Sequence, residues 1–151
     1  MTLTFDDPVE RIKSIHSVNW TSGNTSGLTP DFDEMREMVT KDAKYQIIFY
    51  RRSPSDINVI GRGSHFDEGR MVTVEIRVRS VQGNKATAET IFNQFYTESK
   101  RICGSDAVRL NPGGSWDYLE WLDDNDQSYR ANGFFRILMD YQLWRYGVSK
   151  T

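Results

Sequence analysis

MVTVEIRVRS, residues 71–80, sets Val72, Val74, Ile76 and Val78 on one side of an extended chain and Glu75, Arg77 and Arg79 on the other. Successive side chains of a strand point to opposite faces, so this spacing predicts a strand over about Gly69–Arg79 with its valines in a core. The rest of the fold is read outward from it. Upstream, Tyr45–Arg52 places Tyr45, Ile47 and Phe49 on one face and Gln46, Ile48 and Tyr50 on the other. Two apolar faces predict a strand inside the sheet, not at its edge. Near the end, Gly133–Tyr146 alternates Phe135, Ile137, Met139, Tyr141 and Leu143 with Arg136, Asp140 and Gln142. Paired antiparallel to residues 69–79, its polar row would face the Glu75 row, opposite charges adding about 0.2–1 kcal/mol per pair.

Two helices complete the pattern. Asp7, Pro8 and Glu10 form a capping box with proline at the first helical position, followed by Val9, Ile12 and Ile15 or His16 as an apolar stripe. His16 reads as a residue at the margin of that stripe. From Lys85 to Cys103, the residues Ala88, Ile91, Phe92, Phe95, Ser99 and Ile102 share one helical face. Around Trp116–Leu122 the spacing fits a strand or one amphipathic turn, and a strand is preferred. The expected order is therefore α-β-β-α-β-β. The fold class is α+β, a single antiparallel or mixed sheet with helices on one face, in one domain over residues 1–151.

The connections are long. Residues 19–32, NWTSGNTSGLTPDF, read as a loop with Trp20 packed down as an anchor and the Thr/Ser/Gly stretch free for a partner. A short helical turn is expected around Asp33–Val39. Residues 53–69 read as one long connection, and the acidic run 123–126, DDND, as a solvated loop.

Composition bounds the function. With 38% hydrophobic, 13% aromatic and 26% charged residues, the 151-residue chain reads as a folded domain. A net charge of −2 gives no bulk attraction to nucleic acid or anionic membrane. Cys103 is the single cysteine, which excludes an internal disulfide and a cysteine metal cluster. No apolar run approaches the roughly 20 residues of a membrane span, and the first residues lack a signal-peptide pattern. The expectation is a protein kept in a reducing cytosol.

Two chemical readings stay open beside a protein-interaction one. Asp67 or Glu68 with Glu75 and Arg77 resembles the acidic set of a metal-dependent nuclease, although an arginine cannot shuttle a proton at neutral pH. Tyr45, Phe49, Tyr50, Arg51, Arg52, Arg77 and Arg79 put aromatics and arginines on neighbouring strands, as nucleic-acid stacking platforms do. No nucleophile elbow, phosphate loop or metal-ligand spacing is present in the sequence. No catalytic residue, metal ligand or cofactor is expected, and the protein is not expected to be an enzyme.

Three passages resemble the tail-terminator (tail-completion) proteins of long-tailed bacterial or archaeal viruses. They are residues 9–32, VERIKSIHSVNWTSGNTSGLTPDF; residues 45–80 running into the helix TAETIFNQFYTESKRI; and residues 129–147, YRANGFFRILMDYQLWRYG. The resemblance implies a structural virion protein. It would form a ring, usually a hexamer, at the head-proximal end of the tail tube, ending tube polymerisation and joining the tail to the head connector. The partners implied are other copies of the chain, the tail-tube protein and connector or neck proteins. DNA would be only cargo passing through the lumen, and no membrane is involved. The place implied is the virion's head-tail junction, after assembly in the host cytoplasm. Neck and head-completion proteins of the same viruses are built similarly. On this reading Glu75, Arg77, Arg79, Arg136 and Asp140 face neighbouring subunits or the lumen. Thr21, Asn24, Thr25, Asp56, Arg62 and His65 lie in the loops expected to touch tube and connector.

Overall fold

A computed structural model describes residues 7–34, 44–51, 57–63, 65–80 and 85–149. Among the described residues the fold is mixed α+β, with one mixed sheet and three α-helices. Helix α1, Pro8–Asn19, starts where the sequence places it: the Asp7 carboxylate accepts from the amide of Val9 at 2.9 Å. Helix α2 spans Lys85–Gly104, and a single turn, α3, spans Asp106–Arg109 with Ser105 as its cap.

The described residues form six strands: β1 Asp31–Glu34, β2 Tyr45–Tyr50, β3 Ile57–Arg62, β4 His65–Arg79, β5 Tyr118–Asp126 and β6 Phe134–Ser149. The main order across the sheet is β1-β2-β4-β6-β5, with β3 paired to β4 off that path. β1 lies parallel to β2, and every other pairing is antiparallel. The α-β-β-α-β-β order is thus corrected to a richer one.

Three readings change for physical reasons. Asp33 and Glu34 belong to β1, not to a helical turn, because β2 has a free side there and hydrogen-bonds residues 31–34 into the sheet; residues 35–39 lie outside the described ones. The connection 53–69 contains β3 and the first residues of β4, a hairpin whose tight turn carries Gly63 at φ +58°. The DDND run is strand, since β6 is long enough to pair residues 123–126 after a bulge between Trp121 and Asp123.

The core lies between the helices and one face of the sheet. Ile12 and Ile15 of α1 and Ala88, Ile91, Phe92, Phe95, Ile102 and Cys103 of α2 pack on Ile47, Phe49, Val72, Val74, Ile76, Val78 and the apolar row of β6. Those strand residues are the ones that the period-two reading turned inward. Trp20 does anchor its loop, edge-on to Phe95 at 5.5 Å and to Phe32 at 5.6 Å.

His16 is no marginal residue. It is fully buried, 5.0 Å from the Phe49 ring, and hydrogen-bonds the Ile12 carbonyl at 2.9 Å and the Ser99 hydroxyl at 2.7 Å. A carbonyl can only accept, so Nδ1 carries a proton and donates to Ile12; with the ring neutral at pH 7, Nε2 accepts from the Ser99 hydroxyl. Burial pushes its pKa down to about 4. Cys103 lies 3.8 Å from Nε2, and burial raises its thiol to about 12, that of a packed side chain and not of a nucleophile.

β2 and β3 pair with β4 on the side opposite β6, one after the other: Tyr45–Tyr50 against residues 78–73, Ile57–Arg62 against residues 70–65. They are in effect one long interrupted strand. The apolar core stops at Val72 on β4 and Leu143 on β6. Past the start of β5, which still pairs Tyr118 with Trp144, β3, the start of β4 and the end of β6 continue as a three-stranded arm. Arg145 and Glu68 stand opposite each other there and form an ion pair; Arg70 joins the same carboxylate, and the Arg145 guanidinium lies 5.4 Å from the Trp116 ring centre. Gly69 faces Trp144 across the arm, where an added Cβ would stand 3.0 Å from the indole and would collide with the Gln142 side-chain amide.

Candidate functional site

The face of the sheet away from the helices carries the row that opens the sequence reading. Glu75 is fully buried. It forms ion pairs with Arg77 and with Arg136, the latter at 2.9 Å, and accepts from the Tyr50 hydroxyl at 2.7 Å. Register explains the arrangement: Arg77 and Arg136 are directly opposed across β4 and β6, and Tyr50 stands one strand over, beside Thr73. Two opposed guanidinium groups repel, and the carboxylate two residues along β4 bridges both. Burial alone would raise the Glu75 pKa; the Arg136 and Tyr50 hydrogen bonds and the Arg77 charge hold it below the usual carboxylate range. Asp140 is buried too and accepts from Thr73 at 2.7 Å.

Of the five residues read as facing neighbours or a lumen, Glu75 and Asp140 are therefore turned into the chain's own contacts. Arg77 and Arg136 keep 20% and 28% of their side chains exposed, and Arg79 is exposed, with its guanidinium 5.8 Å from the Phe134 ring centre. The row is charged as expected but holds the sheet together more than it reaches outward.

The loop after α1 is built, not free. Residues Ser22–Thr25 form a 3₁₀ turn, and Ser26 follows at φ +54°. Its anchor is Glu98 of α2, only 1% exposed. Glu98 accepts from the Thr21 amide at 3.1 Å and the Asn24 side chain at 3.2 Å, and pairs with Arg101. Arg101 in turn donates to the Asn19 carbonyl at 3.1 Å. Thr25 is fully buried and donates to the Leu28 and Ser22 carbonyls, so it offers nothing to a partner. Thr21 and Asn24 remain at the surface, with the Thr21 amide and the Asn24 side-chain NH2 committed to Glu98 and the Thr21 hydroxyl accepting from Arg101 at 3.5 Å. Replacing Glu98 by alanine is expected to cost about 1.5–3 kcal/mol, the range for hydrogen bonds to a charged group. Hydrogen exchange should then quicken at residues 21–28 while the amides of α1 stay slow, which thermal melts and exchange mass spectrometry together would register.

Arg62 and His65 close the β3–β4 hairpin at the tip of the arm, His65 exposed. Asp56 lies outside the described residues. The carboxylates of the nuclease reading do not converge. Glu68 and Glu75 are seven residues apart on one strand, which puts them on opposite faces and about 23 Å apart along it. Each is neutralised by its own arginines. Among the described residues, no three of His, Cys, Asp and Glu come together as a metal-holding group.

The acidic run of β5 has a role the sequence did not display. Asp124 accepts from the Tyr96 hydroxyl at 2.6 Å and from the Trp121 indole at 2.8 Å, and pairs with Lys100 at 3.0 Å. Lys100 lies 4.2 Å from the Trp121 ring centre, a cation–π contact over an indole that is 53% exposed. Asp126 accepts from the Ser128 amide and from Arg130, both at 2.9 Å, fixing the turn into β6.

No family model matches the chain, and no curated protein matches it.

Proposed function

We propose that this chain is a structural subunit of a tailed-virus particle, a tail-terminator protein that closes into a ring at the head-proximal end of the tail tube. The observation that carries the reading is the three-stranded arm. The segment that the resemblance assigns to contacts with tube and connector is folded as β3 and the start of β4, braced by the end of β6 and extended past the apolar core. A braced arm can reach a neighbour at small entropic cost, because its backbone is already ordered. Within the described sheet, Glu75 and Glu68 are each held in cross-strand ion pairs, Glu75 with Arg136 and Glu68 with Arg145. Arg77, Arg79 and Arg136 are the members of the charged row that keep exposed surface, toward neighbours or toward a lumen through which DNA passes as cargo.

Negative-stain electron microscopy of the purified chain at high concentration, with native mass spectrometry on the same sample, tests this reading. Closed rings near six copies that bind the ends of tail tubes are the expected result. Rings that bind a portal-side connector but never a tube would move the protein to the neck of the particle. Mg²⁺-dependent cleavage of DNA by the chain would overturn the reading altogether.

A further inference from the structure

A cavity of about 260 Å³ opens between the end of α2, α3 and the first residues of β5, with Tyr141 of β6 in its lining. Part of the wall is apolar: Leu119 is fully buried, and the Trp121 indole is 53% exposed. Sites for drug-sized molecules run to about 300–1,000 Å³. This smaller space suits a single ring with a short side arm.

Two donors in the lining have nothing to donate to. Tyr141 is 1% exposed, and its hydroxyl has no nitrogen or oxygen partner; the Cys103 thiol, a weak one, is its neighbour. Burial raises its pKa, so the hydroxyl stays protonated and can donate. The Nε of Arg109 is buried and likewise unpartnered, while its Nη2 pairs with Asp106 at 3.6 Å, an acid 83% exposed. Buried polar groups in folded proteins nearly all have a partner. The other charges of the lining are engaged: Lys100 pairs with Asp124 and lies over Trp121, and Glu120 accepts from the Trp144 indole at 2.9 Å. The cavity therefore offers two donors, one of them cationic, beside an apolar wall.

We infer that this cavity binds a small aromatic carboxylic acid, its ring against Leu119 and Trp121 and its carboxylate shared by the Tyr141 hydroxyl and the Arg109 guanidinium. A carboxylate has lone pairs enough for both donors, and the planar fork of arginine matches its geometry. An aromatic ring packs on the indole by offset or edge-on contact, which an aliphatic body of the same size does not reproduce. A cationic ligand would meet Arg109 and Lys100 with like charge, and a neutral one would leave the arginine without a counter-charge. The site is built within one chain, so it stands or falls independently of ring formation.

Protein-observed NMR titration of the full chain with phenylacetate tests the site, with phenylacetamide as the uncharged control. Backbone amides of Gly104 and of residues 118–121 should shift and saturate, with a dissociation constant at or below about 1 mM for phenylacetate. The amide should bind at least about tenfold more weakly. Tyr141→Phe keeps the ring in the core and deletes only the hydroxyl, so it should leave Tm unchanged or higher while weakening phenylacetate at least about tenfold. Arg109→Gln, on an exposed turn, should weaken it by a similar factor. Equal binding of phenylacetate and phenylacetamide would overturn the assignment to an acid. Equal binding by the wild type and both variants would overturn the site. A Tm lowered by Tyr141→Phe would show the hydroxyl already partnered within the chain and remove it from the site. No shift at these amides with about 10 mM phenylacetate would overturn the inference as a whole.

Discussion

Replacing Glu75 with leucine is expected to destabilise the fold by about 3–5 kcal/mol, the range for breaking a buried ion pair by removing one partner. The reason lies in the register. Arg77 and Arg136 face each other across β4 and β6, and both converge on this one carboxylate, which is itself fully buried. Without it two partly covered guanidinium groups repel, and the Tyr50 hydroxyl loses its acceptor. For a domain of this size each kcal/mol shifts Tm by roughly 2–4 °C, so thermal denaturation should show a fall of about 6–20 °C. Removing Arg77 and Arg136 as well, with hydrophobic residues in all three places, should restore much of the loss, since the uncompensated cations would be gone. A Glu75→Leu protein that melts with the wild type would show that the network contributes nothing. The same geometry complicates Arg77 as a surface probe, because its substitution also unpairs Glu75.

The second large effect is a pH dependence centred on His16. Its folded pKa, about 4, lies below the ordinary histidine value of 6.5. Between these values the unfolded chain binds the proton and the folded chain does not, so stability rises with pH through this window. The contribution is complete above about pH 6.5, declines as the pH falls and is lost by about pH 4. A shift of this size amounts to roughly 3 kcal/mol. Denaturant melts from pH 7.5 to 5 should therefore show stability falling before the carboxylates begin to titrate. In His16→Gln the stability at pH 7.5 should drop, because the Ile12 and Ser99 contacts change, yet the slope between pH 6.5 and 5 should flatten. An unchanged slope in the variant would assign the acid sensitivity to other groups. Below about pH 4.5 the carboxylates held low by their partners, Glu75, Glu98 and Asp126, add losses of the same sign.

The candidate site illustrates what local spacing can and cannot convey. The charged row of β4 was legible because alternation is a property of neighbouring residues. Its burial was not, since that depends on Arg136, sixty-one residues away, and on Tyr50 from another strand. Glu98 was likewise hidden: on a helix, a Glu three residues before an Arg reads as an ordinary surface pair, and nothing nearby announces that Thr21 and Asn24 close over it. Asp124 and Asp126 looked like a solvated loop because their partners, Lys100, Tyr96 and Arg130, belong to other elements or lie past the turn.

By itself the sequence determined the cap and apolar stripe of α1, the buried face of α2 and the inward rows of β2, β4 and β6. Those are periodicities of 3.6 and 2, written in contiguous residues and enforced by burial. The tertiary structure alone decided that β1 joins in parallel, that residues 57–62 form a strand, that the acidic run extends β5, and that His16 is core. Each depends on a partner distant in sequence: a free sheet edge, the matching length of β4 or β6, or the packing of two helices. Hydrogen-bond partners and desolvation are properties of the assembled sheet, and no window of neighbouring residues contains them.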